Sequence, residues 1–422
     1  MILIKNGRLI NPATNTDQLR DLIINDSKIE NIGIFEDDGS YDTVIEASGF
    51  IVSPGFIDVH VHFRDPGFTY KETIFSGAKA AAKGGYTTVI CMANTKPPID
   101  NVETLIYVLE EGKKAEINVL SCATISEGMK GESLTDMVAL KEAGAIGFTD
   151  DGMPLLNGNM VKEAMIQAKK LNLPLSFHEE DPSFITNNGV HQGVVSEQLN
   201  LIGSPAIAED SMVARDCMIA LHTGADVNIQ HISSRYSVDM VRYAKSLGAH
   251  VWAEVTPHHF SLTEHALLEH GTFAKMNPPL RTEEDRQALI EGLIDGTIDM
   301  IATDHAPHSE EEKSQPLSKA PSGIIGLETA LSLAISELVD KGYLTYPELI
   351  RKMSLNPAKL YHLDNGDLSI GKVADITIFN PDESYLVTGF ASKSANSPFL
   401  NKQLKGKVKY TICNGRIVYQ ES

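Results

Sequence analysis

Between residues 51 and 305, eight apolar, β-rich runs alternate with helix-like stretches, and this alternation constrains the fold more than any other feature. The runs are Ile51–Phe63, Thr87–Thr95, Ile117–Thr124, Ala145–Asp151, Leu175–Glu179, Val227–Ser233, Val251–Thr256 and Met300–His305. Helix-like stretches such as Lys71–Lys83, Asn159–Leu171, Gln198–Thr223 and Arg235–Leu247 lie between them. Strands separated by helices read as parallel βα units. Eight of them in this length fit a (β/α)8 barrel of the TIM type better than an open doubly wound sheet. The first strand is followed by no Gly-rich phosphate loop, which argues against the dinucleotide-binding alternative. The ends of the chain differ from the middle. MILIKNGRLI and DLIINDSKIENIGI near the N-terminus, and KVADITIFNP and KVKYTICNGRIV near the C-terminus, read as short antiparallel strands punctuated by Asn-Gly and Asn-Asp turns. The expected class is therefore α/β, with a catalytic barrel over 53–363 and a small composite β-sandwich domain built from 1–52 and 364–422.

Composition excludes several function classes. With 36 basic against 56 acidic residues the formal charge is −20, a poor match for nucleic acid, whose binding needs a basic face. No apolar run approaches the ~20 residues that span a bilayer, and MILIKNGRLINPATN lacks the zones of a signal peptide. A cytoplasmic location follows as the default expectation. The four cysteines, Cys91, Cys122, Cys217 and Cys413, form no CxxC pair and read as buried small hydrophobes in a reducing compartment.

Chemistry concentrates where the runs end. His60 and His62 close the first run as His-x-His, and residues two apart on a strand share a face. His178 closes the fifth run, His231 the sixth and Asp304 the eighth. Catalytic groups of a (β/α)8 barrel come from the C-terminal ends of several strands. Four imidazoles and a carboxylate in that placement read as a metal site without thiolates, suited to catalytic zinc, with manganese, cobalt or iron as alternatives. Asp151 ends the fourth run in GFTDDG, and a sixth ligand makes sense only if two ions share the set, with one carboxylate bridging. From the residues alone, Asp150 competes evenly for that place.

Several motifs resemble class I bacterial dihydroorotases of the amidohydrolase superfamily. They are DVHVHFRDPG (58–67), MANTKP (92–97), TDDG (149–152), KMNPPLR (275–281), TDHAPH (303–308) and APSGIIGLET (320–329), with NSPF (396–399) and GKVKYTICNGRIVY (406–419) near the end. The resemblance runs in order along nearly the whole chain. It implies the amidohydrolase barrel with its composite β domain and reversible interconversion of (S)-dihydroorotate and N-carbamoyl-L-aspartate in pyrimidine biosynthesis. Two Zn²⁺ ions per subunit are implied, one on His60, His62 and Asp304, the other on His178 and His231, with Asp151 bridging. Many relatives bridge with a carboxylated lysine at the fourth strand. Phe148-Thr149 stand there instead, which places the chain with the aspartate-bridged subgroup and counts against a hydantoinase.

Hydrolysing an unactivated cyclic amide requires a stronger nucleophile than bulk water, and water on zinc has a pKa near ~7. Hydroxide between the two ions is the expected nucleophile, with Asp304 as general acid and base. Arg64, continuing the alternation two residues past His62, is placed to take the substrate carboxylate bidentately; the competing expectation is a salt bridge to Asp65. The resemblance adds His62, Phe63, Asn94 and His308 on the substrate, with Asn277 and the Ser322-Gly323 backbone on the pyrimidine ring. The polar segment Ser309–Ser322 is either a flap or a solvated loop. His258 and His259 end the seventh run but are assigned structural roles. Expected partners are the small-molecule substrate, aspartate transcarbamoylase and a second copy of the chain in a homodimer. The rivals are an allantoinase or dihydropyrimidinase-like enzyme, and a silent subunit scaffolding aspartate transcarbamoylase, which would be expected to have lost metal ligands.

Overall fold

A computed structural model describes residues 1–421. The first apolar run does not form one strand. It divides at Gly55 into β5 (Ile51–Pro54) and β6 (Phe56–Val61), which belong to different sheets. Gly55 lies so close to Thr87 that an added Cβ would sit 2.2 Å from its Oγ1, so only glycine fits at the junction.

Before the junction run β1 (Ile2–Asn11), β2 (Thr16–Asn25), β3 (Lys28–Gly33) and β4 (Thr43–Glu46); β14 (Ile376–Leu386), β15 (Gln403–Cys413) and β16 (Arg416–Gln420) end the chain. Together with β5 they make one eight-stranded sheet in the order β16-β15-β14-β5-β1-β2-β3, with β4 on β1. The first half of β1 pairs in parallel with β4 and its second half with β5, the register shifting between Ile4 and Gly7. Asn6-Gly7, expected as a turn, is therefore a bulge, with Asn6 at φ 60°. Asn414-Gly415 does form the expected two-residue turn between β15 and β16, both residues taking positive φ. Ile4, Leu22, Ile24, Ile376 and Ile412 belong to the separate apolar core of this sheet.

The barrel strands are β6, β7 (Tyr86–Cys91), β8 (Asn118–Ser121), β9 (Phe148–Thr149), β10 (Leu175–Phe177), β11 (Val227–Ile229), β12 (Val251–Val255) and β13 (Met300–Ile301). They pair in parallel as β6-β7-β8 and β9-β10-β11-β12-β13. Parallel bridges from Ala123 to Phe148 and from Val61 to His305 join the two groups into a ring. Burial on both faces explains why these strands read as continuous apolar runs. Phe56, fully buried, stacks its edge on Tyr86 at 5.8 Å and meets Phe379 of β14 at 6.2 Å, joining barrel to accessory sheet. Burying such a ring contributes about 1.5–3 kcal/mol.

Local signals set the helix limits. Helix Ile74–Lys83 begins at Thr73, whose Oγ1 accepts the Ser76 N–H while Ser76 Oγ accepts the Thr73 N–H. Helix Gly158–Leu171 is capped by Asn157 and ends at Asn172, at φ 53°. The helix expected over 198–223 forms only as Ile207–Thr223; a short helix, Val194–Gln198, ends where it was expected to begin, and Gly203 and Pro205 lie in the non-helical stretch between.

Candidate metal centre and substrate cavity

Barrel strands are short and end together, so residues one to three positions past them converge above the ring. His60 is on β6 and His62 just beyond it; Asp151, His178, His231 and Asp304 follow β9, β10, β11 and β13 by one to three residues. His231 and Asp304 take left-handed backbones, φ 31° and 46°, costing on the order of 1 kcal/mol each and held only by their surroundings. The His60 and His62 rings lie 5.2 Å apart, His60 and His231 5.1 Å, and His178 and His231 4.7 Å.

Asp151 is common to two groups of donors. With His60 and His62 it offers three ligand atoms within 4.8 Å of one another, and with His178 and His231 it does so again. Its Oδ1 lies 3.4 Å from His60 Nε2 and 3.7 Å from both His178 Nδ1 and His231 Nε2; its Oδ2 lies 3.4 Å from His62 Nε2. Asp304 Oδ1 is 3.0 Å from His62 Nε2 and 3.5 Å from His60 Nε2. Asp150 turns away and accepts the Ile125 and Ser126 N–H groups and the Ser126 hydroxyl. Burial pushes its carboxyl up to about 6.

The donor set fits a metal centre. His60 Nε2 and Asp151 Oδ1 are buried, point into the cluster and have no hydrogen-bond partner, which is costly unless something else occupies them. Burial works against charge on Asp151 and Asp304, yet His60 and the neighbouring imidazoles hold both carboxyls below their ordinary range. Burial likewise opposes a charged His60, but Asp151 and Glu254 draw it well above normal. These carboxylates demand positive charge at this point, and divalent cations supply it without protonating the imidazoles.

Around the cluster opens a cavity of ≈ 350 Å³. His62, Arg64, Asn94, Asp151, His178, His231, Asn277, Asp304, His308, Ser322 and Gly323 all line it. Phe63 does not. Its ring packs edge-on against His305 at 6.3 Å and lies against Gly77, because it points to the opposite side of the chain from His62. Arg64 reaches the cavity by a different route from the strand alternation expected, since β6 ends at Val61 and Arg64 turns in at φ 60°. Its Nε donates to the Pro307 carbonyl at 3.3 Å, and among the described residues no carboxylate pairs with its guanidinium. The salt bridge to Asp65 does not form; Asp65 accepts from the Tyr107 hydroxyl instead.

Other side chains are already engaged. Asn94 Oδ1 accepts from His62 Nδ1 at 2.9 Å, and its amide donates to the Asp151 carbonyl and Oδ2, both at 3.2 Å. It therefore ties two cluster residues together at the cavity wall. His308 donates from Nε2 to the Ser322 carbonyl at 2.8 Å, and Lys71 Nζ lies 3.4 Å from its Nδ1. Burial, then Arg64 and Lys71, lowers its pKa and keeps it neutral. Asn277 places Nδ2 3.3 Å from His178 Nε2 and leaves its buried Oδ1 without a partner. His259 bonds Thr256 and the Pro278 carbonyl, as a structural residue does, while His258 is buried with Nε2 unpartnered.

Sequence reasoning missed three contributors. Glu254, fully buried on β12, accepts from His60 Nδ1 at 2.5 Å and from Asn228 at 2.8 Å, fixing the ring that faces the cluster. A glutamate inside the apolar run VWAEV was the available signal. Asn188 and Lys275 line the cavity; the first resembles a turn former in TNNGV, and the second opens the motif KMNPPLR.

Residues 51–418 match the Amidohydrolase family. The chain is 62% identical over 419 residues to a dihydroorotase of Clostridioides difficile, covering 99% of this chain and 100% of that protein. It is 54% identical to a dihydroorotase of Clostridium acetobutylicum, with 100% of each chain covered. Among solved structures, L-hydantoinase (dihydropyrimidinase) from Arthrobacter aurescens superposes with a TM-score of 0.88 at 24% identity, covering 100% of this chain and 96% of that one. That likeness establishes the shared barrel with its β-sandwich companion.

Proposed function

This chain belongs to the amidohydrolase family and is a dihydroorotase within it, and we propose that the cavity residues divide the reaction between metal holding, proton transfer and substrate orientation. The enzyme interconverts N-carbamoyl-L-aspartate and (S)-dihydroorotate. His60, His62 and Asp304 would hold one zinc ion and His178 and His231 a second, with Asp151, common to both donor groups, shared between them. Bound there, the ions supply Lewis-acid polarisation of the ring carbonyl and acidify water.

Asp304 carries the proton. Its carboxylate is held ionised, lines the cavity and is therefore ready to accept the proton of the attacking water. Delivered to the ring nitrogen, that proton lets the amide C–N bond break. In the biosynthetic direction the same carboxylate takes the proton from the carbamoyl nitrogen as the ring closes. Arg64 receives the substrate carboxylate, and the unpaired Asn277 Oδ1 accepts a ring N–H. His308, Asn94 and the Ser322-Gly323 backbone complete the wall.

The observation that carries the substrate assignment is Arg64: a guanidinium lining the cavity with no carboxylate partner among the described residues. An unpaired, partly buried arginine awaits an anion. Allantoin and hydantoin lack the ring carboxylate and leave it without one. The purified protein, assayed with dihydroorotate, hydantoin and allantoin, should strongly prefer the first; equal rates on the others would remove the reading.

The four cysteines are all free and buried, which supports a reducing, cytoplasmic setting. No helix of the described residues is long and apolar enough to cross a membrane. The division into a barrel over 53–363 and an accessory domain over 1–52 and 364–422 forms part of the same proposal.

A further inference from the structure

Two lysines beside the cavity are buried without any carboxylate partner. Lys275 and Lys313 are 5% and 2% exposed, and neither forms an ion pair among the described residues. Both ammonium groups face backbone carbonyls of one segment. Lys275 Nζ donates to Leu317 and Ala320 at 2.9 and 2.7 Å. Lys313 Nζ donates to Pro321 and Gly323, each at 2.9 Å, and to the Lys275 carbonyl at 3.4 Å. His308 takes the Ser322 carbonyl between them, and the Gly323 N–H returns to the Lys275 carbonyl. Five carbonyls within residues 317–323 thus converge on two ammonium groups and an imidazole.

Such an arrangement is expensive unless it serves a purpose, because a buried ammonium normally has an anion or loses its proton. Burial lowers Lys275; burial and then Lys275 push Lys313 down to about 7, against a smaller upward pull from Glu312. Glu312 itself is committed to Lys71 at 2.8 Å and to the Tyr70 hydroxyl at 3.0 Å. The remaining cations nearby, Arg64 and Lys71, face His308. No carboxylate among the described residues pairs with either ammonium group, and the cavity that Lys275 lines is the side from which an anion can approach them.

We propose that Lys275 and Lys313 are paired positioning residues that fix segment 317–323 over the cavity and hold it ready for an anionic substrate. An ammonium has three donors; Lys275 spends two on carbonyls of the segment, and the same side chain lines the cavity. Ser322 and Gly323 are presented at the wall because the carbonyls around them are held from behind. Across the opening, Ser322 Oγ reaches Asn188 Oδ1 at 3.4 Å. Gly189, at φ 78°, permits the approach, since a Cβ there would sit 2.3 Å from Ser322 Oγ. The inference rests on the substrate reading above.

The test uses Lys275→Met and Lys313→Met in the full, metal-loaded chain, with two readouts. Trypsin cuts after Lys319, an exposed residue within the held segment, only when the segment opens locally. Cleavage there should be at least about ten-fold faster in both variants. KM for dihydroorotate should rise about ten-fold, more than kcat falls. Metal content per chain should not change, and Lys313→Arg should restore resistance to trypsin. The double variant should be no worse than the worse single, as expected of one shared device. If either methionine variant fails to fold, Lys→Gln at the same position, which keeps a donor but no charge, takes its place. Wild-type cleavage and KM in both variants would overturn the proposal, as would cutting throughout the chain. Should wild-type protein fail to turn over dihydroorotate, the substrate reading falls, while the proteolysis still judges the clamp.

Discussion

The floor and the rim of the cavity are built in opposite ways. On the floor, side chains from the strand ends face one another, imidazole to carboxylate, and the backbone behind them is locked into the ring of β6–β13. Glu254 beneath His60 and Asn94 beside His62 extend that pattern outward. At the rim, side chains grip backbone instead: Arg64 holds the Pro307 carbonyl, His308 that of Ser322, and the two lysines the carbonyls of 317–323. A floor made this way fixes ligand atoms to within the tolerance a metal needs, whereas a rim made this way shapes a loop around a substrate. Chemistry should therefore fail when the floor is altered, and recognition when the rim is.

Removing the metals is the most severe way to break the floor. Dialysis against a chelator should abolish turnover, and added zinc should restore it; an undiminished rate would end the metal-centred account. Next comes Asp304→Asn, which keeps the shape but not the base. A loss of about 10³-fold in kcat is expected, with circular dichroism and melting temperature near those of the parent. The rim is sharpened by Arg64→Met, where KM for dihydroorotate should rise about 10- to 100-fold while zinc content, read by atomic absorption, stays constant. Glu254→Gln probes the layer below the floor and should weaken zinc binding about ten-fold in a competition titration with a chromophoric chelator. The smallest effect concerns a partner. Turnover of the isolated chain and of a complex reconstituted with aspartate transcarbamoylase should differ if the cavity depends on that subunit, and equal rates would remove the idea.

The floor was legible in the sequence and the rim only partly so. Strand-terminal residues are found by periodicity, because a fully buried parallel strand reads as an apolar run and its last polar residue stands out. His60, His62, Asp151, His178, His231 and Asp304 were all reached in this way or through family motifs. Between Asp150 and Asp151 the residue pattern is even and the family motif TDDG selects Asp151; the structure adds that Asp150 is already engaged by the backbone donors of Ile125 and Ser126. Arg64 was identified, but its route was not, since a single left-handed residue is invisible to alternation. Phe63 was assigned to the substrate by resemblance, yet its side chain fills the space beside Gly77. Lys275 and Lys313 were passed over because their partners are carbonyls, which every residue carries and no motif records.

The division of the first apolar run at Gly55 has its own consequence. One continuous stretch of backbone serves as an interior strand of one sheet and the opening strand of another, with Ser354 Oγ and the Asp375 carbonyl bonded to the residue between them. Loosening the terminal sheet would therefore tug directly on the strand that carries His60. A shortened catalytic fragment should forfeit its histidine pair along with the discarded ends, and heating the intact enzyme should give a single cooperative melt.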